Sequence, residues 1–146
     1  MTQNTAAATA HTADATAAAA GQALKSDPNF LLLYVHSAVE SAGFYAALLG
    51  KAPVESSPTF ALFALDSGVM LGLWGASGVV PAATAPGGME LAFAVPDKAA
   101  VEARHADWTA RGIPVIQPPT AMDFGFTFAA QDPDGHRLRV FAPGAQ

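Results

Sequence analysis

Apolar and polar residues alternate in a way that marks a β-hairpin near the C-terminal end of the sequence. The segment 124–130 is rich in phenylalanine, 137–141 alternates arginine with apolar residues, and Asp132-Pro133-Asp134-Gly135 lies between them. Proline fixes φ at the second position of a turn, and glycine tolerates a positive φ at its end. The pattern therefore predicts two strands joined by a tight turn. A weaker copy lies at 59–74, where Asp66 and Gly68 mark the turn.

A strand and a helix precede the first of these hairpins. The apolar run 30–35 is typical of a strand buried on both faces. Ser37 and Glu40 have the spacing of a capping box, and Gly50 is favourable just past a helix end, so we expect a helix between them. Residues 51–58 are interpreted as a connection.

The second half of the chain repeats this order. Residues 89–95 alternate like a strand, and Asp97 is a suitable N-cap for a helix that ends near Arg111. Residues 113–119 are interpreted as a connection to the second hairpin. An offset of 60 to 67 residues aligns the halves and places Phe30 on Glu90, Phe60 on Phe126, and Gly72 on Arg139. Such a repeat predicts an α+β fold of two βαβββ modules, in which helices cover mixed sheets.

The predicted organisation is a first module over 28–74, a Gly/Pro/Ala linker over 75–88 and a second module over 89–143. Residues 1–27 are rich in alanine and threonine, with almost no large side chain to bury. Because such a segment cannot offset its ordering entropy, we expect a disordered tail.

Composition narrows the class of protein. With 51% hydrophobic and 13% charged residues, the chain is typical of a well-cored globular domain. Seven basic residues are scattered and the net charge is −5, so we expect no nucleic-acid partner. No apolar run is long enough to span a membrane, and no secretory signal is recognisable. The absence of cysteine excludes disulfides and thiolate metal sites, and we expect a cytoplasmic protein.

Several segments, taken in order, resemble the vicinal oxygen chelate superfamily, which includes glyoxalase I, bleomycin-resistance proteins and extradiol dioxygenases. These segments are 44–50 (FYAALLG), 90–95 (ELAFAV), 111–113 (RGI) and 132–136 (DPDGH). The resemblance covers about residues 29–143. It implies two modules whose sheets curl around a cavity, often with modules paired across a dimer. Residues 65–74 and Ala142-Pro143 are most similar to the phenazine-antibiotic resistance branch.

The same resemblance bears on a metal. Superfamily enzymes hold a divalent ion with side chains from equivalent places on four strands, which here match Phe30, Gly72, Glu90 and Arg139. Only Glu90 has a ligating group, and a permanent cation at Arg139 would repel the ion. We therefore expect no metal and no other cofactor.

No other chemical constellation stands out. The histidines His11, His36, His105 and His136 lack ligand spacing, and we interpret His105 as a packed helix residue and His136 as a turn-exit residue. No nucleophile–histidine arrangement is recognisable, so no catalytic residue is assigned. For Asp132 and Asp134, a turn role is favoured over acid–base work.

Strand alternation sorts the residues that face the implied cavity. Leu138 and Val140 are expected to pack on the helices, which leaves Arg139 and Phe141 on the opposite face, with Gly72, Ala92 and Ala94 leaving an open slot. Phe60, Phe126 and Phe128 lie on strands whose faces the pattern does not assign. Residues 122–125, which include Met122, are a candidate pocket edge. The candidate ligand-binding residues are Phe30, Tyr34, Phe60, Met70, Trp74, Glu90, Met122, Phe126, Arg139 and Phe141.

Two questions about these side chains stay open. Trp74 either stacks on a ligand or packs, and Trp108 is expected in the core. Glu90 and Arg139 either only pair with each other or also contact a ligand, Arg139 binding a carboxylate or Glu90 accepting from an N–H group.

The leading hypothesis is a metal-free binding protein that sequesters a planar aromatic antibiotic of the phenazine type by stacking, thereby conferring resistance. The first alternative is a metal-dependent glyoxalase-like or dioxygenase-like enzyme, and the second is a small-molecule binding domain with an unrelated ligand. The expected partners are a planar aromatic small molecule and a second copy of the chain. In that homodimer, modules pair within a chain or swap between chains.

Overall fold

The computed structural model describes residues 27–144, so the expected tail over 1–27 falls almost wholly outside the described residues. Among these residues, two α-helices, eight strands and a short 3-10 helix, Ala76–Gly78, form the fold. Their bounds in chain order are β1 Phe30–Val35, α1 Ala38–Leu49, β2 Glu55–Ser56, β3 Phe60–Ala64, β4 Met70–Gly75, β5 Glu90–Ala94, α2 Lys98–Ala110, β6 Val115–Met122, β7 Gly125–Gln131 and β8 Arg137–Pro143.

The strands form two four-stranded sheets with the same topology. The orders are β1-β4-β3-β2 and β5-β8-β7-β6, and in each sheet the first pair is parallel and the other pairs are antiparallel. The α+β class and the two repeated modules are confirmed.

The register is also repeated. Leu32 pairs with Gly72 in the first sheet, and Ala92 pairs with Arg139 in the second, which supports the alignment of Gly72 with Arg139. The hairpin arms differ from the sequence alignment by one residue. Trp74 pairs with Phe60, whereas its equivalent Phe141 pairs with Thr127. Phe60 therefore corresponds to Thr127 and not to Phe126, and a slip of one residue moves a side chain to the other face of a sheet.

The pattern located only three strands in each module, and the remaining strand of each, at the sheet edge, lies in a segment interpreted as a connection. β2 falls within 51–58, and β6 covers most of 113–119 and continues to Met122. β6 contains Pro118 and Pro119, and its pairing with β7 has two register shifts. Proline is tolerated at a sheet edge because its missing N–H faces outward. Because proline is rare in strands, the sequence pattern did not predict a strand here.

The helices begin at side-chain caps. Ser37 accepts a hydrogen bond from the Glu40 N–H at 3.1 Å, and Asp97 accepts one from the Ala100 N–H at 2.8 Å. Gly50 ends α1 in the left-handed conformation with φ of 67°, as expected for a residue without a Cβ. Both helices therefore begin where the sequence predicts.

The helix-facing sides of the two sheets share one hydrophobic core. Its buried residues come from both modules and include Leu33, Leu71 and Phe63 of the first with Trp108 and Phe128 of the second. Trp108 is confirmed as a core residue, since its ring packs edge-on against Phe128 at 5.3 Å. The opposite side of each sheet is covered by neither helix.

The turn after β7 ties the modules together. Asp132 accepts from the Tyr45 hydroxyl at 2.7 Å and from the N–H groups of Asp134 and His136, both at 2.9 Å. Asp134 accepts from the His36 N–H at 2.8 Å. Burial, followed by the bond to Asp132, raises the pKa of the Tyr45 hydroxyl, so this group remains a donor. These aspartates shape the turn, as expected, and also join the modules.

Within residues 27–144, neither helix has the length and apolarity needed to cross a bilayer.

Candidate functional site

The uncovered side of the first sheet is aromatic and apolar. We call it the apolar face, and it comprises Phe30, Leu32, Tyr34, Phe60, Met70 and Trp74. Phe30 is 51% exposed and Tyr34 is 40% exposed, although each is a large apolar side chain. The Tyr34 and Trp74 rings meet edge-to-face, with centroids 6.1 Å apart. This surface offers stacking area on a sheet that already has a core on its other side.

Gly72 lies in the middle of the apolar face. A Cβ built on Gly72 would lie 2.5 Å from the Leu32 Cδ2 atom and 3.1 Å from the Phe60 ring. The space left by the missing side chain is therefore occupied by Leu32 and Phe60. The open slot predicted at this position is therefore absent, because these two side chains fill it.

The uncovered side of the second sheet is built around an ion pair. Arg139 donates from Nε to both carboxylate oxygens of Glu90, at 2.9 and 3.0 Å, and from Nη2 to Oε2 at 2.8 Å. Its Nη1 donates to Gln117 Oε1 at 2.8 Å and to Thr127 Oγ1 at 3.1 Å. We call Glu90, Gln117, Thr127 and Arg139 the polar network. Glu90 and Arg139 therefore pair with each other in the structure, and an additional contact of either residue with a ligand stays a prediction.

The Arg139 guanidinium sets the protonation of Glu90. The hydrogen bonds from Arg139 hold the pKa of the Glu90 carboxyl below its ordinary value, although partial burial acts in the opposite direction. The Arg139 side chain is 17% exposed and that of Glu90 is 32% exposed. Glu90 is thus an ionised acceptor that solvent still reaches.

A cavity of about 370 Å³ opens beside this network. It is lined by Glu90, Met122, Phe124, Arg139 and Phe141. The Phe124 and Phe141 rings lie edge-to-face with centroids 6.0 Å apart. Four of the five lining residues belong to the set named from the sequence. Phe124 was missed, and the signal for it was its place in the 122–125 segment that was considered as a pocket edge.

Phe126 and Phe128 lie on the other side of β7. Phe126 is buried, with the Lys98 ammonium of α2 4.9 Å from the centre of its ring, and Phe128 packs against Trp108. Phe126 therefore faces the helix and does not line the cavity. Thr127, between them, is the side chain that points to the polar network. By contrast, Phe60 does lie on an uncovered side, next to Gly72.

The residues at the family's metal positions do not fit a divalent ion. Phe30 and Gly72 carry no donor atom, and Arg139 places its guanidinium against the one carboxylate of the set. Across residues 27–144, no three His, Cys, Asp or Glu side chains gather in an ion-binding geometry. A first-row metal needs several oxygen or nitrogen ligands that converge on it, and this donor set does not supply them.

The histidines have structural contacts. The His105 ring packs edge-on against Phe128 at 5.2 Å, in agreement with the packing role expected for it. His136 places Nε2 2.9 Å from the Tyr34 carbonyl oxygen, which joins the turn to β1. His36 donates its backbone N–H to Asp134, and His11 lies outside the described residues.

A larger cavity, of about 620 Å³, lies between α1 and the turn after β7. Its charged groups are engaged within the chain, since Arg111 donates to Asp107 Oδ1 and the Ala47 carbonyl oxygen. Asp132 and Asp134 hold the turn. The smaller cavity is the stronger candidate because a solvent-accessible acceptor and aromatic rings converge there.

Comparison with known proteins identifies the family. Residues 28–140 match the model of the Glyoxalase/Bleomycin resistance protein/Dioxygenase superfamily. The chain is 33% identical over 116 residues to the phenazine antibiotic resistance protein EhpR of Enterobacter agglomerans. The match covers 77% of this chain and 89% of EhpR.

Solved structures agree with this match. The solution NMR structure of protein ATC0852 from Agrobacterium tumefaciens is 50% identical, with a TM-score of 0.76, and the match covers 82% of this chain and 99% of that one. The crystal structure of a glyoxalase-related enzyme from Fulvimarina pelagi is 26% identical, with a TM-score of 0.70, over 82% of this chain and 88% of the other. The chain therefore belongs to the glyoxalase/bleomycin resistance protein/dioxygenase superfamily.

Proposed function

We propose that this protein sequesters a planar aromatic antibiotic of the phenazine type, without a metal and without chemical change to the ligand. Resistance then comes from lowering the free concentration of the antibiotic. The observation that carries the proposal is the state of Arg139, whose guanidinium occupies a position at which related enzymes place a metal ligand and is bound there to Glu90.

The aromatic side chains support a stacking ligand. Edge-to-face ring pairs, Tyr34–Trp74 and Phe124–Phe141, stand on the uncovered sides of the two sheets. A flat heteroaromatic ring gains dispersion and quadrupole energy against such rings without a strong directional bond. The similarity to EhpR, a phenazine antibiotic resistance protein, points to the same ligand class.

We further propose that a second copy of the chain completes the site. The five residues that line the cavity beside Glu90 all belong to the second module. The apolar face, with Phe30 and Tyr34 exposed, is a surface of the kind that marks an interaction site. If the apolar face of one copy covers the cavity of the other, Trp74 and Phe141 form opposite walls around a ligand. In such a two-fold dimer both sites are equivalent.

The cytoplasm is the compartment in which we place this activity. The cysteine-free composition and the net charge of −5 are compatible with that compartment.

The experiment is a calorimetric titration of EDTA-treated protein with a series of substituted phenazines. We expect saturable binding at micromolar concentration or below without metal, and recovery of the unchanged ligand after denaturation. Recovery distinguishes capture from catalysis, because an enzyme would return a product.

Repeating the titration with Zn²⁺, Mn²⁺ or Fe²⁺ is the control. Binding or turnover only after metal addition would contradict the proposal and favour a metal-dependent enzyme of the same superfamily. Failure of every phenazine in both conditions would contradict the ligand class.

A further inference from the structure

We propose that the site selects neutral planar aromatics that carry an N–H donor, such as a carboxamide, over the corresponding anionic carboxylates, and that Glu90 determines this selectivity. The inference rests on the proposed function and adds the polar chemistry of the ligand. Arg139 is the residue of this site that would ordinarily be expected to bind a ligand carboxylate.

The donors of Arg139 are almost all occupied. A guanidinium has five N–H bonds. Nε–H points at the Glu90 carboxylate, Nη1 donates to Gln117 and to Thr127, and Nη2 donates to Glu90 Oε2. One N–H of Nη2 remains, which is too little for the two parallel bonds by which arginine holds a carboxylate.

Displacing Glu90 is unfavourable as well. A ligand carboxylate would have to share one guanidinium with the ionised Glu90 side chain, and like charges a few ångströms apart repel. The other partners of Arg139 also resist movement. Thr127 is fully buried, and its hydroxyl donates in turn to the Val140 carbonyl oxygen at 2.8 Å. The guanidinium is therefore fixed on the sheet and is not free to turn toward a ligand.

Glu90, in contrast, retains acceptor capacity. A carboxylate offers about four lone-pair directions, and Oε1 accepts one bond while Oε2 accepts two, all of them from Arg139. The Glu90 side chain lines the cavity and is 32% exposed. A ligand N–H that reaches Oε1 makes a charge-assisted hydrogen bond without breaking the ion pair.

Arg137 is the competing cation on this face. It is the register partner of Glu90 and its side chain is exposed, but it does not line the cavity. If a ligand carboxylate bound through Arg137, removing that side chain would weaken binding of the carboxylate ligand and leave binding of the carboxamide ligand unchanged. Arg137→Ala is therefore the matched control for the Glu90→Gln variant.

The test compares phenazine-2-carboxamide with phenazine-2-carboxylate by calorimetry at pH 7.5, using the full chain. The 2-position keeps the substituent away from the ring nitrogens, so the amide N–H is free to bond to protein. For the unaltered protein, we expect the carboxamide to bind at least about tenfold more tightly. In Glu90→Gln, which removes the negative charge and weakens the hold on Arg139, we expect the preference to disappear or reverse. In Arg137→Ala, it should persist.

Three results would overturn the inference: a preference of the unaltered protein for the carboxylate, an unchanged preference in Glu90→Gln, or a preference that depends on Arg137. Thermal unfolding of each variant verifies that the protein is folded, and Glu90→Asp, which keeps the charge, should keep the preference. Absence of binding by both ligands, while other phenazines bind, would overturn the selectivity alone. Failure of every phenazine would overturn the proposed function as well.

Discussion

The two modules share a topology and a register and differ in what they place on their uncovered faces. Positions that pair in the same way carry Leu32 and Gly72 in the first sheet, and Ala92 and Arg139 in the second. The first set leaves an apolar face, whereas the second gives a polar network. A duplicated scaffold thus fixes where side chains stand, and each copy fills the positions for a different task.

The turns of the two modules differ as well. Asp66, in the first turn, is exposed and pairs with Lys51 of its own module at 2.6 Å. Asp132, in the second turn, is buried and accepts from Tyr45 of the other module. The same residue type at a similar place therefore has only a surface role in one copy and joins the modules in the other.

The largest expected effect comes from breaking the second turn. Asp132→Ala leaves the buried Tyr45 hydroxyl and two backbone N–H groups without their acceptor, and we expect a loss of about 3 kcal/mol in the free energy of unfolding. Chemical denaturation followed by circular dichroism measures it. Asp66→Ala is the control and should leave the midpoint unchanged. Equal effects of the two substitutions would show that the turns do not differ in role.

The next effect concerns the apolar face. Trp74→Ala should weaken phenazine binding by about 1–3 kcal/mol. Stacking of a flat heteroaromatic ring, such as a nucleobase, on an aromatic side chain contributes about that much. Titration calorimetry measures the change, and Trp74→Phe should retain most of the affinity. If Trp74→Ala binds as tightly as the unaltered protein, Trp74 is not part of the site.

Mixing two variants tests whether the apolar face of one chain and the cavity of another form one site. Trp74→Ala and Phe141→Ala each impair binding, but a mixed dimer with sites built from two chains has one intact site. After subunit exchange of equal amounts, about a quarter of the sites should bind with full affinity. A quantitative titration of the mixture detects them. If the mixture binds no better than the separate variants, both faces serve a site within one chain.

The smallest effect is the pH dependence of the polar network. Because the pKa of Glu90 is lowered in the folded protein, the pair contributes stability above the ordinary glutamate pKa of 4.5, and this stability is lost as pH falls through the lowered folded value. A partly exposed pair contributes about 0.5–1 kcal/mol. The difference in unfolding free energy between the unaltered protein and Glu90→Gln should therefore shrink between pH 7 and pH 3. A constant difference would contradict the assignment.

The sequence predicts the fold well where the two-residue period of a strand is unbroken. The faces of β1, β4, β5 and β8 follow from alternation, and so do the positions of Trp74, Glu90 and Arg139. β3 and β7 are apolar on both sides, so their faces cannot be read from the pattern. That is why Phe126 was named as a candidate, although Thr127 is the β7 side chain that bonds to Arg139.

The remaining features depend on contacts between distant parts of the chain. The two prolines of β6 are typical of a connection, and the segment is a strand only because it pairs with β7. The local turn chemistry of Asp132 already accounts for its residue type, so nothing in the sequence pointed to Tyr45. Likewise, residue types alone did not decide whether Glu90 and Arg139 pair, because the pair depends on the placement of β5 beside β8.

The bonds from the second turn to the first module also bear on how fast the protein folds. Asp134 and His36 are 98 positions apart, and Asp132 and Tyr45 are 87 apart. Closing loops of this length costs chain entropy before any contact offsets it, and non-local contacts of this kind slow folding. If these bonds form after the rate-limiting barrier, their loss accelerates unfolding and leaves the folding rate almost unchanged. The turn that joins the modules then determines how long the native state persists.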